Sequence, residues 1–197
     1  ADNLDLLRQA GAELVSFSPV AGDPLPANVS GVYLGGGYPE LHATAITANK
    51  RLREQLRAGA ASDLPIYAEC GGLMALTETL IDTEGIAHPM MGLLPGTVRM
   101  VKRFTLGYRL ITANGPTLLL EAGETARGHE VHYSVWDTPT ESRNAYIAAP
   151  SENEPGRPEG WASGNMLAAY SHLHFASNPK MAERFVAKCA AWQLRNT

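Results

Sequence analysis

Apolar positions along the chain alternate between helical spacing and short strand-like runs. Residues 4–10 carry Leu4, Leu6, Leu7 and Ala10, and Gly11 is placed to end a short helix. Residues 13–17, Glu-Leu-Val-Ser-Phe, read as a strand. A helix followed by a strand implies an earlier strand to open the unit, and none is found ahead of Leu4. With a start at Ala1-Asp2-Asn3 and no initiator Met, this reads as a domain cut from a longer polypeptide. Residues 19–26 form a loop punctuated by Gly and Pro. Residues 29–34 are a strand running into Gly35-Gly36-Gly37-Tyr38-Pro39-Glu40. Helical spacing then resumes from 41 to about 61 through Ile46, Leu52 and Leu56. Residues 64–70 are an apolar run ending in Cys70-Gly71-Gly72, with helix-favouring residues at 73–78.

The character changes after Ile81, where Gly85, Pro89, Gly92, Pro95 and Gly96 interrupt the pattern. Strand-like runs follow at 97–101, 105–112, 117–120 and 129–136. They predict an antiparallel region added to the α/β part. Residues 151–158, rich in Glu, Asn and Pro, read as an exposed loop, and 160–162 and 166–170 as strands. A turn over 171–179 leads through Asn178 (N-cap) and Pro179 into a last helix with Met181, Phe185, Val186, Cys189 and Trp192 on it.

Composition narrows the function. With 197 residues, 45% of them hydrophobic and 18% charged, the chain suits one domain, residues 1–197, with a real core. A net charge of −4 without a Lys/Arg run argues against nucleic acid and anionic membranes as partners. No apolar stretch is long enough to span a bilayer. Two cysteines without a CxxC pair argue against a disulfide framework and a zinc site, so no metal is expected and a cytoplasmic setting fits.

The strand–Cys–Gly–Gly–helix stretch is the chemical centre of the sequence. Small residues permit a sharp turn with the thiol at its apex, and a helix N-terminus favours the thiolate. A nucleophilic cysteine also needs a base and donors for a developing oxyanion. His172 and His174 follow the strand at 166–170, as Cys70 follows its own, and strand C-termini gather at one sheet edge. The Gly71 amide and the loop Gly35–Gly37 offer donors, with Gly36 and Gly37 the nearest candidates. Cys189 reads as core, and Glu69 as shaping the turn.

Four motifs in order, Gly35-Gly36-Gly37-Tyr38-Pro39-Glu40, Tyr67-Ala68-Glu69-Cys70-Gly71-Gly72-Leu73-Met74, Gly128-His129-Glu130-Val131-His132-Tyr133-Ser134 and Tyr170-Ser171-His172-Leu173-His174-Phe175, resemble the amidotransferase domain of cobyrinic acid (or hydrogenobyrinic acid) a,c-diamide synthases. These are class I, or triad, glutamine amidotransferases. The resemblance runs from about Asn3 to Trp192. It implies a three-layer, flavodoxin-like α/β fold, a sheet flanked by helices, with the added antiparallel β region. It implies that Cys70 attacks the glutamine side-chain amide with His172 as base, forms a γ-glutamyl thioester and releases ammonia. The ammonia would amidate the corrinoid a and c acetates on an N-terminal synthetase domain of the same polypeptide, which uses ATP and Mg2+. No cofactor is expected in this domain. Glu130, His132 and His174 become candidates for the glutamine pocket or the interface with the synthetase half. Where family members place an orienting Glu two residues after the histidine, this chain has His174, so the complete triad is in question. The alternatives are the amidase domains of cobyric acid synthase or Ni-sirohydrochlorin a,c-diamide synthase, or an inactive interaction module.

Overall fold

A computed structural model describes residues 2–139 and 144–196. The elements are α1 (Asp2–Gln9), β1 (Val32–Leu34), α2 (Ala43–Ala48), α3 (Lys50–Ala61), β2 (Ile66–Glu69), α4 (Gly71–Leu76), β3 (Thr77–Ile81), β4 (Ala87–Pro89), β5 (Leu94–Ala113), β6 (Thr125–Asp137), β7 (Tyr146–Ala149), β8 (Arg157–Glu159), β9 (Trp161–Ser163), β10 (Met166–Ala169), β11 (His172–Leu173) and α5 (Lys180–Asn196).

The first sheet has the order β1-β2-β10-β9, with β1, β2 and β10 parallel and β9 antiparallel at one edge. Every residue of β2 and β10 is buried, as expected of parallel strands covered on both faces. Alternation along them feeds two cores. Ile66, Ala68, Met166 and Ala168 join Ile46, Leu52, Leu56 and Leu73 on the α2–α4 side. Tyr67, Leu167 and Ala169 join Leu7, Met181 and Phe185 on the α1–α5 side. A helix layer thus flanks each face. The second sheet, in the order β11-β6-β5-β3-β4 with β7 attached to β5 and β8 to β7, is the added, largely antiparallel region.

Several element boundaries differ from the sequence reading. The helix anticipated over 41–61 is broken at Asn49. That buried side chain accepts from the Leu52 amide as the cap of α3 and donates to the Pro19 and Asp23 carbonyls. The helix after the elbow stops at Leu76, and 77–81 is a strand running parallel to β5. The runs at 97–101 and 105–112 belong to a single 20-residue strand, irregular between Met100 and Thr105. Residues 117–120 form no strand, because the Thr117 hydroxyl accepts from the Leu119 and Leu120 amides and folds them into a turn. Residues 13–17 also form no strand, since among the described residues none lies beside them to pair with. The Asn178 amide donates to the Thr125 carbonyl instead of capping α5.

Candidate active site

Cys70 stands between β2 and α4 with φ 48° and ψ −106°, a backbone conformation that non-glycine residues rarely adopt. It is the only residue of the elbow that must be so bent, since Gly71 and Gly72 continue into the helix. They are glycines for reasons of space. A Cβ on Gly72 would lie 2.3 Å from the Leu34 carbonyl oxygen, and one on Gly71 would lie 2.6 Å from that of Gly37. The elbow is therefore pressed against the glycine loop that follows β1.

The same loop reaches His172. A Cβ on Gly36 would lie 2.5 Å from His172 Cε1 and 3.3 Å from Nε2. Strand β6 links the two catalytic candidates from the other side. His172 pairs with His129 in the ladder, and their rings stack 4.8 Å apart. Two residues further along, the Val131 carbonyl accepts the Cys70 thiol at 3.6 Å. Two residues of strand span about 7 Å. Gly36, Gly37, Gly71, Cys70 and His172 are thus brought together around one strand edge.

The main chain on both sides of His172 is fastened by buried carboxylates. Glu69 accepts the Leu173 amide and the Tyr67 hydroxyl at 2.8 Å each, and also the Tyr33 hydroxyl. Glu159 accepts the Tyr170 amide. Burial raises the Glu69 pKa and pushes Glu159 up to about 7, with the nearby Glu130 charge adding to the latter. Glu69 was read from sequence as a turn residue, and its tie to the histidine strand spans more than a hundred positions. Glu159 was not singled out at all; it borders a segment that reads as exposed loop.

Burial lowers the pKa of His172, which favours the neutral imidazole. The Cys70 thiol departs from the expectation of an acidified group. Burial pushes it up to about 11, the Gly71 amide opposes this, and Glu69, Glu40 and Glu130 add to the rise. The six-residue α4 does not offset the burial of the sulfur, to which three acidic residues add.

The remaining candidates border this centre, each held by its own contacts. Alternation along β6 turns Glu130 inward, fully buried, with its carboxylate paired to Arg109 at 2.9 Å and to Arg157. Both oxygens are committed to this ion cluster. His132, also on the inward face, stacks on Tyr170 at 3.9 Å and bonds through Nδ1 to the Ser134 carbonyl. His174 is exposed, 3.7 Å from the Asp2 carboxylate, and lines a cavity of about 530 Å³ with His172, His129, Glu69 and Gly36. Cys189 packs over Gly31, its thiol pushed up to about 12 by burial. Among the described residues no cluster of three or more His, Cys, Asp or Glu side chains is arranged to hold a metal ion, and no helix is long and apolar enough to cross a membrane.

A strained cysteine elbow on a parallel α/β sheet, with a glycine loop and a histidine at the same edge, is the arrangement of the class I glutamine amidotransferases. The fold agrees with theirs. A solved glutamine amidotransferase superposes with a TM-score of 0.62 at 14% identity, over 96% of this chain and 93% of that one. The PurLQS structure from Thermotoga maritima gives 0.64 at 17% identity, over 97% and 91%. Residues 1–180 match the CobB/CobQ-like glutamine amidotransferase domain, and the chain belongs to that family. The cobyrinate a,c-diamide synthase of Priestia megaterium is 39% identical over 191 residues, and that of Salmonella typhimurium 43% over 194. These cover 96% and 94% of this chain but 41% of each relative, so the chain spans well under half the length of these curated relatives.

Proposed function

We propose that this chain is the glutamine-hydrolysing part of an ATP-dependent cobyrinic acid a,c-diamide synthase. The observation that carries the reading is the convergence of the glycine loop on both the elbow and His172. Glutamine enters with its side-chain amide over Cys70. The Cys70 sulfur attacks the amide carbon and its proton passes to His172, whose neutral, accepting form burial favours. With the thiol pKa raised, His172 takes the proton as the sulfur attacks in this scheme. The oxyanion is met by the amide of Gly71 and an amide of the loop at Gly36 or Gly37. His172 returns the proton to the departing nitrogen, so ammonia leaves and a γ-glutamyl thioester remains. Water, deprotonated by His172, then cleaves the thioester to glutamate and the free thiol.

Glu69 and Glu159 are positioning residues in this scheme. They hold the main chain on either side of His172, doing through backbone amides what an orienting carboxylate does through the imidazole. The released ammonia goes to the corrinoid a and c acetates on a synthetase domain of the same polypeptide, where ATP and Mg2+ activate the carboxylates; no step on the present residues uses either. The test is Cys70→Ala in the full-length enzyme. Glutamine-dependent amide formation should vanish while formation from free ammonia persists. Loss of both would remove Cys70 from the assigned role.

A further inference from the structure

The ring of His172 has no polar anchor among the described residues. Glu69 and Glu159 hold the main chain on either side of it, and no hydrogen bond or ion pair from a described residue reaches the imidazole itself. Two surfaces set its orientation. Gly36 blocks one edge: a Cβ there would lie nearest Cε1, at 2.5 Å, with the two nitrogens farther off at 3.3 and 3.5 Å. That pattern puts the loop against the Cε1 edge of the ring. His129 covers a face. Paired strand residues project to the same side of a sheet, and His172 on β11 is paired with His129 on β6. Their rings lie 4.8 Å apart and within 11° of parallel.

The stack matters most once a proton has moved. His172 becomes an imidazolium when it takes the Cys70 proton, and among the described residues no carboxylate forms an ion pair with it. A cation is attracted to the face of an aromatic ring whose centroid lies within about 6 Å. The His129 ring meets that distance and lies parallel to the imidazole. It can do this only while it is neutral, since two stacked imidazolium rings repel. Burial and the His172 charge lower the His129 pKa, Glu69 opposes them, and His174 adds to the fall, so the neutral ring is favoured.

We propose that His129 is a positioning residue for His172: its ring fixes the plane of the imidazole and stabilises the imidazolium that forms during acylation. It performs through a ring face the task that a carboxylate performs through a hydrogen bond in a complete triad. No proton passes over His129, which acts only through its neighbour. Gly36 at the edge and His129 at the face together leave the imidazole one orientation. This rests on the reading of His172 as the base.

The experiment replaces His129 in the full-length enzyme by Phe, Leu and Gln and follows glutamate release, with synthesis from free ammonia as the internal standard. Phe keeps a ring face and has no nitrogen, whereas Leu and Gln have no ring. His129→Leu and His129→Gln should each lose about tenfold in kcat with KM for glutamine unchanged, a loss within the range of a cation over a ring face. His129→Phe should stay within about threefold of wild type. The position is exposed, so all three should keep the urea midpoint and the ammonia reaction. A Leu or Gln variant as active as the Phe variant would overturn the proposal, because the ring face would then do nothing. A Phe variant as slow as the other two would overturn it equally, since the ring nitrogens would be what counts. A raised KM in all three would place His129 on glutamine itself and overturn it as well. An error in the assignment of His172 shows separately, as glutamate release that survives His172→Ala.

Discussion

Gly36→Ala isolates the contact between the glycine loop and His172. The new Cβ would stand 2.5 Å from Cε1 and 3.3 Å from Nε2, where ordinary contact begins near 3.4 Å. The imidazole has to move by about 1 Å. A displacement of that size in a catalytic group costs on the order of 10²-fold in rate, or about 2.7 kcal/mol of barrier. Gly35→Ala is the control, because a Cβ there meets nothing within 4 Å. Both positions are exposed, so each variant should unfold within about 0.5 kcal/mol of wild type. The assay is glutamate release by the full-length enzyme, with synthesis from free ammonia as the internal standard. Gly36→Ala should lose about 10²-fold in kcat/KM for glutamine and keep the ammonia reaction, while Gly35→Ala stays near wild type. A Gly36→Ala enzyme as active as the Gly35→Ala enzyme would refute the placement of His172 against this loop.

Other consequences are open to simpler measurements. Glu159 has a folded pKa of about 7 against an ordinary 4.5, so its contribution to stability is fully present below about 4.5 and is lost as pH rises through about 7, a change of up to roughly 3 kcal/mol. Glu159→Gln keeps an acceptor for the Tyr170 amide and cannot ionise, so its urea midpoint should vary less between pH 5 and 8 than that of wild type; parallel profiles would contradict the assignment. The Cys70 thiol, pushed up to about 11, should be alkylated by iodoacetamide with a rate that still climbs above pH 9, and a plateau near neutrality would show an acidified thiol instead. Cys70→Gly should be more stable than Cys70→Ala by about 1–3 kcal/mol in urea unfolding, because only glycine is relieved of the left-handed φ. Gly71→Ala should cost both stability and activity, since its Cβ meets the Gly37 backbone and no flexible side chain can give way.

Much of the site could be read from residue order because its parts are local. A β-strand, a cysteine and two glycines make an elbow within eight positions, and the glycine loop and His172 likewise follow their own strands. The supports were hidden because they are long-range. Glu69 meets Leu173, and Glu159 meets Tyr170 across a hairpin, and neither carboxylate belongs to a periodic pattern that would mark it as buried. Glu130 and His132 share the inward face of β6, where a polar pair suggests a pocket; the arginines that occupy Glu130 come from β5 and β8. The thiol pKa was misjudged in sign because a turn's dipole is visible in sequence and the desolvation of its apex is not. The strand expected at 13–17 has the right composition, but among the described residues no strand lies beside it, and a ladder needs two sides.

The most direct test of the central claim is labelling of this chain with an electrophilic glutamine analogue, followed by mass spectrometry of the digest. The account predicts an adduct on Cys70 that glutamine prevents, with Cys189 unmodified. An unlabelled Cys70 that still reacts with iodoacetamide would contradict it: the thiol would be reachable, but the elbow, the glycine loop and His172 would not form a glutamine site.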